Sequence, residues 1–236
     1  MTPKKILILV VSSQLPPYGE MVKTSNETWN SISVDGVETV FYFSEPLKEN
    51  TDTEIYFPLK ECYETMGHKM LSAFEWSLAN RDFDYIVRVN SSCYVDKKEL
   101  IKYVQTLPDT DLFSGGIVTD KDGNQDFVWG GLQFILSKDV VRKVVDNKDK
   151  WQHDKMEDVS VSYLVKDLGI KFTDGKGCSI NKQDNGWLCI CYGSDNYEFN
   201  DFSEIRKNGQ FFYRVKTDGH RWIDKIIMQE LFKQLQ

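Results

Sequence analysis

Apolar positions in the first half of the chain follow two different periods. Continuous aliphatic and aromatic runs, each followed by polar residues, predict buried β-strands at residues 6–12, 37–43 and 85–89. Apolar residues between them recur at helical spacing, which predicts helices at residues 59–80 and 97–107. Because strands and helices alternate, we expect an α/β fold with a parallel sheet that carries helices on both faces.

The second half of the chain is less regular. Apolar segments at residues 112–118 and 128–136 predict strands on either side of a charged turn at residues 120–123. Ser137 is the expected N-cap of the helix that follows. The polar segment 174–209 predicts no clear element. The remaining predicted elements are a helix, a strand and a final amphipathic helix, at residues 157–168, 210–216 and 222–235. No repeat or linker divides the 236 residues, so we expect one domain.

Charge and hydropathy exclude several kinds of partner. The net charge of −7 and the pI near 5.1 argue against general binding to nucleic acid or to an anionic membrane, since both need a basic surface. The apolar run near the N-terminus is too short to span a bilayer and lacks a small-residue cleavage site. We therefore expect no membrane span, no nucleic-acid partner and a cytoplasmic protein.

The cysteines show no metal-binding or redox pattern. Cys189 and Cys191 are two residues apart, so in a strand they share a face, but this spacing fits neither a zinc knuckle nor a redox pair. The total of five is odd: Cys62, Cys93, Cys178, Cys189 and Cys191. We expect buried free thiols, as in a reducing compartment.

Polar residues follow three predicted strands, at the sheet edge where open parallel sheets bind ligands. These strand ends are Ser12-Ser13, Ser44-Glu45 and Asn90-Ser91-Ser92. The chain has neither the glycine-rich dinucleotide-binding motif nor a P-loop, which disfavours dehydrogenases and P-loop enzymes. Residues 90–92 also have the composition of a simple turn. Arg88, two residues earlier, either faces a ligand or forms an internal ion pair.

A series of short motifs, spread over residues 28–170, resembles the beta-1,3-galactosyltransferase and Fringe family. In chain order they are Thr28-Trp29, then Tyr63, Lys69 and Trp76 with the strand at residues 84–95, then Trp129-Gly130-Gly131 with Leu136-Ser137, then Glu157-Asp158-Val159 and Leu168-Gly169-Ile170. The resemblance implies a GT-A-like fold, a Rossmann-like mixed sheet flanked by helices. It also implies a donor-nucleotide half at residues 1–107 and an acceptor and catalytic half at residues 108–236.

The chain departs from the family at the metal site. Family members use an Asp-x-Asp motif to hold a divalent metal against the donor diphosphate, and Asn90 and Ser92 occupy those two places here. Neutral oxygens bind a hard cation more weakly than carboxylates. Two alternatives follow: Mn²⁺ or Mg²⁺ is held weakly or by other groups, or basic side chains neutralise the diphosphate. The basic candidates are Arg214, Lys216, His220 and Arg221. A solvated strand edge is the structural alternative for this segment.

The resemblance implies that Asp158, in the Glu-Asp-Val motif, is the catalytic base. In an inverting transfer, one carboxylate takes the proton of the attacking hydroxyl. Glu157 is the neighbour with which it could be confused. Acidic residues at the start of a helix also stabilise the helix dipole, which is the structural alternative.

The segment Trp129-Gly130-Gly131 is expected beside the donor sugar. Glycines inside a strand allow close approach of a ligand, and the indole offers an apolar face to a sugar ring. A bulge beside a core tryptophan is the alternative. Three further donor contacts are predicted: Ser12, Ser13 and Lys69.

Together these features predict a glycosyltransferase that moves a hexose or deoxyhexose from a nucleotide-diphosphate sugar, with UDP-sugar favoured, to a glycan hydroxyl. The reaction is expected to invert the anomeric centre, with Asp158 as the base. A non-catalytic glycan- or nucleotide-sugar-binding module on a transferase fold is the alternative. A retaining transferase, in which Asp158 is not the base, is a third interpretation.

Overall fold

The computed structural model describes residues 4–119, 125–205, 209–217 and 220–236. Its first half contains the strands β1 (Ile6–Val11), β2 (Val37–Phe43), β3 (Glu54–Tyr56), β4 (Tyr85–Asn90) and β5 (Cys93–Val95). The helices of this half are α1 (Tyr18–Glu27), α2 (Met66–Asn80) and α3 (Lys97–Val104). The predicted helix at residues 59–80 therefore begins at Met66, after a single 3₁₀ turn. The predicted charged turn at residues 120–123 lies outside the described residues.

The second half contains more strands than the sequence predicted. They are β6 (Phe113–Gly115), β7 (Ile117–Thr119), β8 (Asp126–Val128), β9 (Gln133–Ser137), β10 (Phe172–Asp174), β11 (Gly177–Gln183), β12 (Gly186–Tyr192), β13 (Tyr197–Phe199) and β14 (Phe212–Val215). The helices are α4 (Lys138–Asp146), α5 (Glu157–Asp167) and α6 (Ile223–Leu235). Each of the two strands predicted at residues 112–118 and 128–136 is split into two short strands.

Seven strands form the main sheet, in the order β10-β6-β9-β4-β1-β2-β3. Strands β2 and β4 pair with β1 in parallel, whereas β9 is antiparallel to both β4 and β6. All six residues of β1 are buried, which explains its continuous aliphatic sequence. The predicted α/β fold with a mixed sheet is confirmed.

The two faces of the main sheet are covered differently. Leu7 and Leu9 of β1 pack into a core with α2, α4 and α5. Ile6, Ile8 and Val10 point the other way, into a core with α3, α6 and a second sheet. Helices therefore lie on both faces, as expected, and on the second face they share the position with the second sheet, which was not expected. No helix in the described part of the chain is long and apolar enough to cross a membrane.

The second sheet corrects the expectation that residues 174–209 hold no clear element. Its order is β13-β12-β11-β14-β5, and β11, β12 and β13 all lie in that segment. Along β11, Cys178 and Ile180 are in the core, whereas Ser179 and Asn181 face a cleft. The segment looked irregular because only one face of the sheet is apolar, and its polar face lines that cleft.

A disulfide corrects the expectation of free thiols. Cys178 and Cys191 are directly opposite each other in the antiparallel pair β11–β12, with Cα atoms 4.2 Å apart, and their sulfurs are bonded. Cys62, Cys93 and Cys189 are free. Cys189 and Cys191 do share a face, as predicted, with sulfurs 3.5 Å apart. The pairing was missed because it depends on strand register. The cytoplasmic location stays a prediction. The expected five free thiols no longer support it, because two of the cysteines form the disulfide.

Candidate functional site

A cleft of about 620 Å³ lies at the carboxyl ends of β1 and β4, between the start of α5 and the second sheet. Its position is the one expected for ligands of an open parallel sheet. Most of the predicted site residues line it: Ser12, Ser13, Lys69, Asn90, Ser92, Trp129, Gly130, Gly131, Glu157, Asp158, Arg214, Lys216 and Arg221. Arg88 and His220 are not among the residues that line it. The fold thus brings together residues from both ends of the chain.

Arg88 forms an internal ion pair, the second of the two alternatives. Its side chain is 1% exposed, and Nη2 donates to Oε1 of Glu157 at 2.6 Å. Nη1 donates to the carbonyl oxygen of Gly130 at 2.8 Å. Since a buried charge needs a partner, Arg88 and Glu157 compensate each other beneath the cleft. The prediction of Arg88 as a direct donor contact therefore does not fit its position.

The backbone of Gly130 is held on both sides. Its carbonyl oxygen also accepts a bond from Nδ2 of Asn90 at 2.8 Å, and its N–H donates to Oδ2 of Asp158 at 2.9 Å. A Cβ at this position would lie 3.0 Å from Cβ of Asp158 and 3.3 Å from Nη1 of Arg88. A side chain here would push Asp158 or Arg88 aside by a few tenths of an ångström, so glycine preserves the positions of both.

Gly131 accommodates the Trp129 ring. A Cβ at position 131 would lie 2.0 Å from Cε2 of that indole, so only glycine lets the ring fold back over the chain. Gly130 and Gly131 lie in the turn between β8 and β9 and not inside a strand. The prediction that they allow a ligand to approach a strand closely is therefore wrong. Trp129 itself is half-buried and lines the cleft, as its predicted role requires.

Asp158 is the buried carboxylate at the start of α5. It is 3% exposed, and burial, followed by the negative charge of Glu157, raises the pKa of its carboxyl above the ordinary value. Its Oδ1 accepts the N–H of Val159 at 2.9 Å, while Oδ2 is held by Gly130. The carboxylate is therefore fixed in orientation and more basic than an exposed aspartate. Glu157 is paired with Arg88, so the structure separates the roles of the two neighbours.

Lys69 supports the wall of the cleft at the end of β1. Its ammonium donates to the carbonyl oxygen of Ser12 at 3.0 Å and to both carboxylate oxygens of Glu61 at 3.1 Å. These three acceptors match the three N–H donors of an ammonium. Burial lowers the pKa of Lys69. The side chain is 1% exposed, so Lys69 is not a surface charge.

The opposite wall of the cleft is basic. Arg221 donates from Nη2 to Oγ of Ser92 at 2.8 Å and lies 3.1 Å from Oδ2 of Asp224. Nη1 of Arg214 and Nε of Arg221 are buried without a hydrogen-bond partner among the described residues. Burial, and then the nearby charge of Arg221, lower the pKa of Arg214 to about 10. Arg214 and Lys216 line the same cleft, as strand alternation predicted.

His220 does not share this position. Its side chain is exposed, and its carbonyl oxygen accepts from Oγ1 of Thr217 at 2.7 Å in the turn before α6. The predicted role of His220 as a phosphate or metal contact is not supported by where it lies.

Several cleft residues were not predicted. They are Val11, Leu15, Tyr18, Glu61, Cys62, Tyr63, Met66, Met156, Ser179 and Asn181. The alternation of polar and apolar residues along β11 was the available signal for Ser179 and Asn181. Apart from Val11, the last residue of β1, the others come from loops and helix starts, where no period marks the side that faces a ligand.

The residues at the tip of β4 do not fit a divalent cation. The amide nitrogen of Asn90 donates to Gly130, and Oγ of Ser92 accepts from the positively charged Arg221. Two carboxylates of the cleft, Glu61 and Glu157, are paired with Lys69 and Arg88. A guanidinium next to Ser92 would repel Mn²⁺ or Mg²⁺, and residues 90–92 offer only neutral oxygens, without the carboxylate that would hold such a cation tightly.

Comparisons with known proteins agree with this architecture. No protein-family model matches the chain. The chain is 24% identical over 148 residues, 55% of its length, to "UDP-GalNAc:beta-1,3-N-acetylgalactosaminyltransferase 2" of Danio rerio. It is 20% identical over 162 residues, 61% of its length, to the Homo sapiens protein of the same name. These matches span 28% and 31% of the two relatives, so the chain covers less than a third of each.

A solved structure shares the fold over nearly the whole chain. It is a glycosyltransferase involved in the glycosylation of the major capsid of PBCV-1, with a TM-score of 0.53 and 12% identity. The likeness covers 95% of this chain and all of that one. The predicted GT-A-like fold class is thus confirmed, and the sequence resemblance to glycosyltransferases agrees with the relatives that the chain matches.

Proposed function

We propose that the protein is a glycosyltransferase that moves a hexose or deoxyhexose from a nucleotide-diphosphate sugar to a glycan hydroxyl, with UDP-sugar as the favoured donor. The fold and the sequence similarity to glycosyltransferases support the reaction class. The cleft of about 620 Å³ has the size of a small-molecule site. Trp129 supplies an apolar face for the sugar, and the basic wall supplies charge for the diphosphate.

The observation that carries the proposal is the environment of Asp158. A buried carboxylate with a raised pKa lines the same cleft as two arginines, so a proton acceptor and an anion site share one cavity. As an inverting transferase, the enzyme would let the acceptor oxygen bond to the anomeric carbon while the bond from that carbon to the phosphate oxygen breaks. The bonding electrons leave with the diphosphate, and the hydroxyl proton goes to Asp158.

The test is the substitution Asp158→Asn, which keeps the size of the side chain and an oxygen that can accept from Gly130. We expect nucleoside-diphosphate binding to stay and transfer to fall by about a hundredfold or more. Asp149→Asn, at an exposed position before α5, is the matched control. Binding is measured by calorimetry with UDP, and transfer by nucleotide release with an acceptor present. Full transfer by Asp158→Asn would refute the assignment of the base.

Inversion is tested separately by the anomeric configuration of the product. A retained configuration would favour the retaining mechanism, in which Asp158 is not the acceptor base. Donor binding with no release of nucleotide by the unmodified protein would favour the binding module.

A further inference from the structure

An arginine occupies the position next to the tip of β4 where the family resemblance places a metal ligand. Oγ of Ser92 accepts a hydrogen bond from Nη2 of Arg221 at 2.8 Å. The two residues are 129 positions apart in the chain. The backbone N–H of Val215 donates to the carbonyl oxygen of Ser92 at 3.1 Å, so the second sheet holds the same tip from its other side. The C-terminal part of the chain thus brings a positive charge to the point where a cation would otherwise be held.

Arg214 and Arg221 keep hydrogen-bonding capacity that the described protein groups do not use. Nη1 of Arg214 and Nε of Arg221 are buried and have no partner among the described residues. Both side chains line the cleft. Nε of Arg88, beneath the opposite wall, also lacks a partner in the described part of the chain, so unsatisfied donors by themselves do not mark the ligand site. The position of Arg214 and Arg221 in the lining of the cleft is what makes their guanidinium groups available to a ligand. Guanidinium groups match phosphate oxygens in both charge and geometry.

The charge around this wall also favours an anion. Asp224 contacts Arg221 through Oδ2, while its Oδ1 accepts from the backbone N–H and Oγ1 of Thr217. On the other side of the cleft, Glu157 is used by Arg88 and Glu61 by Lys69. Arg214 and Arg221 therefore present more positive charge than Asp224 balances.

We propose that Arg214 and Arg221 bind the donor diphosphate directly and take the place of a divalent cation. The inference rests on the proposed function, since it assigns the diphosphate end of the same donor. As the bond to the anomeric carbon breaks, the leaving diphosphate gains negative charge, and the two guanidinium groups are placed to stabilise it. Donor binding and transfer then continue when divalent metals are removed.

The first experiment is calorimetry on the full chain with UDP and with inorganic pyrophosphate, each in excess EDTA and again in excess Mn²⁺. We expect the two Kd values for each probe to agree within about twofold, because no bound metal contributes to the affinity. Binding that disappears in EDTA and returns with Mn²⁺ would overturn the proposal.

Substitution of the arginines is the second experiment. Arg221→Gln and Arg214→Gln should each weaken pyrophosphate binding by about tenfold or more, since each removes one charged donor group. Arg221→Lys keeps the charge but loses the planar fork, and should bind with intermediate affinity. The control is Arg142→Gln, an exposed arginine of α4, which should leave binding unchanged. Unaltered affinity in both glutamine variants, with native thermal unfolding, would refute the inference.

The two proposals fail in different ways. Transfer that needs Mn²⁺ would leave the proposed function intact and remove the arginine site. Metal-independent, arginine-dependent binding of pyrophosphate without any transfer would keep the anion site and reject the enzymatic function.

Discussion

The cleft has two charged walls that differ in how their charges are compensated. On the side of α5, Arg88 and Glu157 form a buried pair, and Asp158 is held by two backbone N–H groups. On the side of the second sheet, Arg221 contacts Asp224, whereas Arg214 forms no ion pair among the described residues, and both side chains line the cleft. A compensated pair supports the structure by itself, whereas an arginine in a cleft without a carboxylate partner is available to an anionic ligand. The comparison separates residues that build the cleft from residues that are available to substrate.

The largest expected effect is on stability, at Arg88. Arg88→Gln leaves Glu157 buried without its partner and should lower the free energy of unfolding by about 3–5 kcal/mol. The same change at Arg214 should cost much less, because it removes a buried charge that protein groups compensate poorly. Urea unfolding of both variants measures the difference. Equal losses of stability would show that the two walls are not distinct in this way.

The second expected effect concerns the disulfide behind the basic wall. Cys178→Ser opens a link between residues 13 positions apart and should destabilise the protein by about 3 kcal/mol. Because Ser179, next to Cys178, is paired with Arg214, pyrophosphate binding should weaken as well. Cys62→Ser, at a free and half-buried cysteine, is the control for unfolding only, because Cys62 also lines the cleft. If Cys178→Ser unfolds at the same urea concentration as the control, the bridge does not stabilise this sheet.

The smallest expected effect is the pH dependence of stability at Asp158. Its folded pKa is raised above the ordinary value of 3.8, first by burial and then by Glu157, so ionisation is less favourable in the folded than in the unfolded state. Asp158→Asn should therefore gain stability relative to the unmodified protein at neutral pH. That gain should shrink as the pH falls through the raised pKa and vanish below the unfolded pKa. The measurement is the urea midpoint of each protein across this pH range, with Asp149→Asn as the control. A stability difference between Asp158→Asn and the unmodified protein that stays constant with pH would contradict the expectation.

Most of the main sheet could be predicted because its signals are local. The aliphatic run of β1 and the apolar periods of α2 and α5 depend only on which neighbours in sequence are apolar. The polar strand ends at Ser12 and Asn90 indicated the edge of the sheet where the cleft lies. Strands β11, β12 and β13 of the second sheet were missed because the sheet is apolar on one face only, so the segment reads as polar.

Thus the sequence by itself determined the α/β architecture, the GT-A-like class and about half of the residues that line the cleft. The tertiary structure alone decided how those residues are paired. Arg88 and Glu157 are 69 residues apart, and Arg221 meets Ser92 over 129 residues. Pairing of charges across such distances depends on strand order and register, which no local pattern encodes. Hydrophobic periodicity predicts whether a side chain is buried, but which group pairs with a buried charge depends on the tertiary structure.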